Sequence, residues 1–170
     1  EVSQELADKG KKTIDKILSK SVEKGKLDAS EKEAILGRVT PQTSNAGFED
    51  VDIVIEAILE VIDIKQNLFK ELHAVCKPDC LFASNTSSIS ITKLASAARP
   101  ERFIGLHFFS PASIMKLVEV IPGLMTSQET VDMSLAFCEA IGKKPVKVRN
   151  VEGFVVNRIL LAMMNEAYRL

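Results

Sequence analysis

Cys80-Leu81-Phe82-Ala83 is a short apolar run that passes directly into the polar string Ser84-Asn85-Thr86-Ser87-Ser88. The run has the length and composition of a buried strand, and the polar residues mark the point where the strand ends. The same pattern occurs at Val51–Ile55 and at Arg102–His107. Segments with helical spacing follow such runs, so the sequence predicts an α/β domain in which most of the sheet is parallel.

Apolar spacing and capping residues predict the remaining elements. The predicted helices cover Val2 to Lys24, Ser30 to Leu36, Asp63 to Val75, Ile91 to Ala98 and Thr126 or Ser127 to Ile141, and two further strands cover Leu117–Ile121 and Pro145–Val148. Ser30 is expected to cap the second helix in a capping box with Glu33, which completes a helical hairpin over residues 3–37. A final helix is expected to begin at Gly153. It is too apolar to have one face in water, so a C-terminal helical domain or a second subunit should cover it.

Composition and charge limit the classes of function. The chain has 170 residues, 46% of them hydrophobic, enough for one domain with a buried core. Its 22 basic and 23 acidic residues create no overall field that would attract nucleic acid. No apolar run approaches the roughly 20 residues that a membrane span needs, and residues 1–10 do not resemble a secretory signal. The three cysteines lack the spacing of a zinc site or a redox pair, so we expect no metal and predict reduced, mostly buried thiols.

His107 is the strongest candidate for chemistry, because it ends a strand of the predicted sheet. Ligands of open α/β sheets bind beyond the carboxyl ends of the strands, and imidazole exchanges protons near neutral pH. Glu119 lies in an apolar segment where an unpaired carboxylate would be costly, and a histidine partner would relieve that cost. Glu119 could then accept the proton of one ring nitrogen and leave the other free as a base. An ordinary structural histidine is the alternative.

Other polar residues have a functional and a structural interpretation. Ser87 and Asn85 could hold a substrate alcohol or carbonyl, or could belong to a helix-capping loop. Asn157 could face a ligand or join two helices. Four lysines of the first helix share one face and could bind phosphates, or could form a solvated basic surface: Lys9, Lys12, Lys16 and Lys20. The eight glycines never approach the spacing G-x-G-x-x-G, so the residues themselves predict no nucleotide site.

An ordered set of motifs resembles the L-3-hydroxyacyl-CoA dehydrogenase family. These are S-N-T-S-S at 84–88, G-L-H-F-F-S-P at 105–111, M-K-L-V-E-V at 115–120 and G-F-V-V-N-R at 153–158. The resemblance covers nearly the whole chain and is strongest to the short-chain 3-hydroxybutyryl-CoA dehydrogenases. It implies a Rossmann-like NAD-binding domain over residues 1–150 without its first βαβ unit, which would have carried the glycine loop. Residues 151–170 would be the first helix of an all-helical substrate and dimerisation domain, and the chain would be truncated at both ends.

The resemblance also implies roles for individual residues. His107 resembles the catalytic base, Glu119 its orienting partner, and Ser87 and Asn157 the residues that hold the reacting oxygen or carbonyl. Positions on the cofactor side match Glu60, Lys65 and Ser87, while substrate contacts would come from Ser87, Asn157, Ser110 and, in the hairpin arm that covers coenzyme A, Lys24 or Lys26. Many relatives carry Asn where this chain has Ser110, so contact with cofactor or substrate could differ there.

The implied function is reversible, NAD-dependent oxidation of a (3S)-hydroxyacyl-CoA, with 3-hydroxybutyryl-CoA the expected substrate, in fatty acid or butanoate metabolism. A homodimer formed through the C-terminal helical region is expected, in the cytoplasm or, in a eukaryote, the mitochondrial matrix. Two alternatives remain open. One is a related dehydrogenase of a non-CoA 3-hydroxy acid, and the other is an inactive fragment or interaction module.

Overall fold

Residues 1–46 form a helical hairpin and residues 47–170 form an α/β unit, in a computed structural model that describes all residues from 1 to 170. Helix α1 covers Gln4–Glu23, and its first turn is capped by the Ser3 hydroxyl, which accepts the backbone N–H of Leu6. Helix α2 covers Ala29–Gly37. An ion pair of 2.7 Å between Lys32 Nζ and Asp15 Oδ1 joins the two helices, as a hairpin requires.

The predicted cap of α2 is wrong. Asp28 is the residue that precedes the helix, in an extended conformation with φ −80° and ψ 149°, and no side chain caps the first turn. Ser30 lies inside that turn, because the backbone carbonyl of Asp28 already accepts the first helical N–H, from Lys32. A capping box therefore does not form, although the predicted helix itself is confirmed.

A five-stranded sheet forms the centre of the second unit. Its strands are β1 Ile53–Glu56, β2 Leu81–Ser84, β3 Phe103–Phe108, β4 Leu117–Pro122 and β5 Lys144–Lys147, in that spatial order. Its helices are α3 Ile62–Val75, α4 Ile91–Ala95, α5 Gln128–Ala140 and α6 Val156–Ala167, with a 3-10 turn at Pro100–Arg102. All neighbouring strands are parallel except β3 and β4. The predicted α/β class and mostly parallel sheet are confirmed.

Helices cover both faces of this sheet, since alternate residues of each strand point to opposite sides. On one face, Phe82 and Phe103 pack with Phe69 of α3. On the other face, Leu106 and Val131 belong to the cluster formed by the sheet and α5. The three cysteines are buried and free, as predicted, and burial raises the pKa of the Cys80 and Cys138 thiols to about 11.

Several boundaries differ from the sequence prediction. Helix α4 ends at Ala95 rather than at the predicted Ala98. Two other boundaries differ for identifiable reasons. Strand β1 extends to Glu56, whose carboxylate is buried because Lys65 pairs with it. Helix α6 begins at Val156 rather than Gly153, because Gly153 and Phe154 have φ of 72° and 48°, which a right-handed helix cannot contain. The apolar side chains of α6 are largely exposed. None of the helices is both long enough and apolar enough to cross a bilayer.

Gly105 is required where β3 passes under α4. A Cβ atom there would lie 2.7 Å from Ile91 Cδ1 and 3.0 Å from Ile121 Cβ. We expect Gly105→Ala to lower the free energy of unfolding by about 1–3 kcal/mol, the usual effect of overpacking a core. Denaturant unfolding measures this. Gly10→Ala is the contrasting control and should not destabilise the chain, because a Cβ at Gly10 meets nothing within 4 Å and Ala is the better helix former in α1. Equal free energies of unfolding for Gly105→Ala and the native chain would contradict the close approach of Gly105 to Ile91 and Ile121.

Candidate active site

His107 and Glu119 face each other across the only antiparallel pair of strands. The register of β3 and β4 pairs these two residues directly, and His107 Nδ1 lies 2.8 Å from Glu119 Oε2. Both residues are buried, with 5% and 1% of their surface exposed. The pairing that sequence spacing predicted is therefore confirmed. Its cause is the reversal of the chain between β3 and β4, which brings residues twelve positions apart into one cross-strand pair.

The hydrogen bonds of the Glu119 carboxylate assign the proton of the His107 ring to one nitrogen. Oε1 accepts the backbone N–H groups of Val155 at 2.9 Å and Val156 at 3.0 Å, at the start of α6. An ionised carboxylate only accepts hydrogen bonds, so Nδ1 of His107 donates to Oε2. In this assignment of the neutral ring, Nε2 carries the lone pair. The buried pair thus presents a basic nitrogen with a fixed orientation.

Nε2 points towards Ser87, in the loop between β2 and α4. The Ser87 hydroxyl oxygen lies 3.1 Å from Nε2, and the residue is exposed, unlike the ring it faces. Asn157 Nδ2 donates to the backbone carbonyl of Ser87 at 3.5 Å, at the outer limit of a hydrogen bond. Four of the predicted site residues therefore meet at the carboxyl end of β2 and β3, where a ligand can reach Ser87.

Two phenylalanines that the sequence analysis did not single out pack against the imidazole. Ring centroids are 4.7 Å apart for His107 and Phe109 and 5.6 Å apart for His107 and Phe154. The left-handed backbone at Gly153 and Phe154 turns the chain so that the next residues offer their N–H groups to Glu119. The motif G-F before an apolar helix is the sequence signal for this turn. The contact of the turn with Glu119 could be recognised only from the position of Glu119 in the structure.

Glu60 organises the loop that contains Ser87. Its Oε1 accepts the Thr86 hydroxyl, the Ser87 N–H at 2.9 Å, and the Ser88 N–H and hydroxyl at 3.1 and 3.2 Å. Burial opposes ionisation of this carboxyl, but the Thr86 hydroxyl, the Ser87 N–H and the Lys65 ammonium outweigh it, so the pKa of Glu60 lies below its ordinary value. Glu60 is therefore a charged anchor of the loop.

Lys65 lies behind Glu60 in the interior. Only 1% of its surface is exposed, and its Nζ is 2.6 Å from Glu56 Oε1, 3.2 Å from Glu60 Oε2 and 3.3 Å from the Ile58 carbonyl oxygen. Glu56 also accepts the Ser84 hydroxyl and the Ile58 N–H, both at 2.6 Å. The sequence alone does not reveal this network, because an ion pair between a strand and a helix leaves no local pattern.

The remaining candidates occupy different positions. Asn85 accepts the Phe108 N–H at 2.8 Å through its side-chain oxygen, so that oxygen joins β2 to β3. Ser110 is exposed in the loop after β3 and precedes Pro111 in a cis peptide bond. Lys24 and Lys26 are exposed at the turn between α1 and α2, within residues 1–46. Lys9, Lys12, Lys16 and Lys20 are exposed along α1.

The sheet and its polar edge define a Rossmann-like α/β domain with a histidine and carboxylate pair at the ligand-binding end. The family model described as "3-hydroxyacyl-CoA dehydrogenase, NAD binding domain" matches residues 1–151. The chain belongs to this family. The assignment of residues 151–170 to a separate helical domain stays a prediction.

Named relatives agree with this family. A probable 3-hydroxybutyryl-CoA dehydrogenase of Deinococcus radiodurans is 50% identical over 166 residues, which cover 96% of this chain. A 3-hydroxybutyryl-CoA dehydrogenase of Clostridioides difficile is 46% identical over 97% of the chain. The crystal structure of (S)-3-hydroxybutyryl-CoA dehydrogenase from Ralstonia eutropha matches 98% of the chain with a TM-score of 0.95 and 43% identity. The chain spans 59% of the length of each of these three proteins.

Proposed function

We propose that the protein carrying this chain oxidises (3S)-hydroxyacyl-CoA, and 3-hydroxybutyryl-CoA in particular, to the 3-ketoacyl-CoA with NAD, reversibly. The observation that carries the proposal is the line of hydrogen bonds from Glu119 through His107 to the exposed Ser87 hydroxyl. A base for an alcohol must have a free nitrogen within reach of the substrate oxygen. Nε2 of His107 meets this requirement at the edge of the sheet where ligands bind.

In this mechanism the chain moves one proton. Nε2 of His107 takes the proton of the 3-hydroxyl group as the alcohol carbon is oxidised, and the Glu119 carboxylate stabilises the resulting imidazolium. NAD, when bound, supplies the two-electron oxidation by accepting a hydride from that carbon. Ser87 and Asn157 hold the reacting oxygen or the thioester carbonyl. In the reverse direction His107 returns the proton as a general acid.

The residues at the sheet edge fit the nicotinamide end of NAD by their chemistry. A ribose and a carboxamide need hydrogen-bond acceptors and donors, and the exposed residues Glu60 and Ser87 offer a carboxylate and a hydroxyl. Lys65 is too buried to touch a ligand and would act by orienting Glu60. The glycine fingerprint binds a pyrophosphate through its backbone amides. The eight glycines of this chain do not form that fingerprint.

Coenzyme A recognition and assembly are further parts of the proposal. Exposed Lys24 or Lys26 would contact a phosphate of coenzyme A, and Ser110 would contact substrate at the loop after β3. The exposed apolar side chains of α6 support a homodimer formed through the C-terminal helical region. The proposed location is the cytoplasm, or the mitochondrial matrix in a eukaryote.

Activity with defined substrates tests the proposed function. The protein carrying this chain should oxidise NADH with acetoacetyl-CoA and should do so far faster than with free acetoacetate or a keto sugar acid. Faster turnover of the free acids would contradict the CoA substrate and favour the related dehydrogenase of non-CoA acids. Absence of turnover with every ketone would favour a non-enzymatic module.

Removing the Ser87 hydroxyl should have a moderate effect. We expect Ser87→Ala to lower kcat with acetoacetyl-CoA about five- to tenfold, because one hydrogen bond contributes about 1 kcal/mol. Steady-state kinetics measures this, with Ser96→Ala as control, since Ser96 is an exposed serine whose hydroxyl donates to the Lys93 carbonyl oxygen. An unchanged kcat in Ser87→Ala would exclude a role of the hydroxyl in the reaction.

A further inference from the structure

A buried ionic network lies directly behind the loop that presents Ser87. Lys65 and Glu56 have 1% and 3% of their surface exposed, and their charged atoms are 2.6 Å apart. Burying an ammonium and a carboxylate costs several kcal/mol per ion, and apolar side chains of similar volume are often as stabilising. Stability alone therefore does not explain this pair.

The contacts of Lys65 connect the pair to Glu60. An ammonium has three N–H donors, and those of Lys65 face Glu56 Oε1, Glu60 Oε2 and the carbonyl oxygen of Ile58. Glu56 is fixed independently by the Ser84 hydroxyl and the Ile58 N–H. Glu60 is therefore held from behind by a cation that cannot move, while its other oxygen faces the active-site loop.

That other oxygen positions the loop between β2 and α4. Oε1 of Glu60 accepts both backbone N–H groups of Ser87 and Ser88, together with the hydroxyls of Thr86 and Ser88. The Ser87 hydroxyl in turn lies 3.1 Å from His107 Nε2. An unbroken series of contacts thus joins Glu56, Lys65, Glu60, Ser87 and His107.

We propose that Glu56 and Lys65 are positioning residues for the reaction, which act through Glu60 to hold the Ser87 hydroxyl against Nε2 of His107. The inference rests on the proposed function and deepens it. Neither residue touches the reacting atoms, and both are outside the set of side chains that face the ligand. Their effect on catalysis should therefore pass entirely through Ser87.

A double-mutant cycle tests this route. We expect Lys65→Met to lower kcat by no more than Ser87→Ala does, about five- to tenfold, when Ser87 is present and less than twofold in the Ser87→Ala background, because residues acting through one another are not additive. Lys70→Met, an exposed lysine on the same helix, is the matched control and should change kcat in neither background. Equal losses in both backgrounds would overturn the proposed route through Ser87.

Amide hydrogen exchange supplies a readout that does not need activity. The Ser87 and Ser88 amides should exchange roughly tenfold faster or more in Lys65→Met, because the carboxylate that protects them loses its partner. Unchanged protection would overturn the proposal even if kcat falls. If the wild-type protein shows no activity with acetoacetyl-CoA, the proposed function fails, while the exchange rates of these amides still decide whether the network holds the loop.

If Lys65→Met fails to fold, a second variant still tests the proposal. A lone buried carboxylate at Glu56 is strongly destabilising, so the combined Glu56→Gln and Lys65→Met variant removes both charges and should remain folded. In this combined variant the Ser87 and Ser88 amides should again exchange rapidly, and the loss of kcat should again depend on the presence of Ser87. Lys65→Arg, which keeps the charge, should restore part of the protection of the two amides.

Discussion

His107→Ala is expected to lower kcat with acetoacetyl-CoA and NADH by roughly 100- to 10,000-fold, the usual contribution of a positioned acid or base. The imidazole is the only titratable group whose free nitrogen faces the exposed Ser87 hydroxyl at the edge of the sheet. Without it, the C3 oxygen has no proton donor in the protein as the ketone is reduced, and its proton must come from water. KM should change much less than kcat, because the substrate contacts of Ser87 and Asn157 remain.

His73→Ala is the matched control for His107→Ala. His73 is the other histidine of the chain, exposed on α3, where its Nδ1 accepts a hydrogen bond from Arg99. That variant should keep nearly full activity. Near-normal turnover by a folded His107→Ala protein would refute the assignment of the base, whatever the effect of the control.

Glu119→Gln is expected to lower kcat for the oxidation of 3-hydroxybutyryl-CoA on the order of 10,000-fold, the scale observed when the carboxylate of such a pair is replaced by its amide. The amide oxygen can still accept the N–H groups of Val155 and Val156, so the amide nitrogen faces His107. Because that nitrogen only donates, Nδ1 must become the acceptor and the proton moves to Nε2. The ring then has no lone pair directed at the substrate.

The tautomer of His107 separates this effect from a structural one. Nitrogen NMR should detect the proton on Nδ1 in the native protein and on Nε2 in Glu119→Gln, with native-like folding in both. Glu139→Gln, an exposed substitution of the same kind on α5, should change neither the tautomer nor kcat. A large loss of activity in Glu119→Gln with the native tautomer retained would contradict the orienting role.

Local sequence patterns predicted most of the fold. Every strand and helix lies near its expected position, because short β-branched runs and helical apolar spacing report burial directly. The exceptions are the exact starting residues of two helices. Asp28 rather than Ser30 precedes α2, and the left-handed backbone at Gly153 and Phe154 delays α6 to Val156.

The candidate site was predictable only in part. His107 and Glu119 could be paired from the sequence, because both lie in strands and a buried carboxylate needs a partner. The hydrogen bonds of Glu119 to the start of α6 could not be predicted, since 36 and 37 residues separate the partners. The Glu56 and Lys65 network was missed because an ion pair between a strand and a helix leaves no local pattern, and the role of Ser87 came from family resemblance rather than from its spacing.

A crystal structure of the protein carrying this chain with NAD and acetoacetyl-CoA would test the assigned base most directly. The C3 oxygen of the ligand should lie within about 2.6–3.2 Å of His107 Nε2, the range required for proton transfer, with Glu119 still bonded to Nδ1. A bound acetoacetyl group whose C3 oxygen contacts other side chains, with Nε2 turned away from it, would contradict the proposed chemistry.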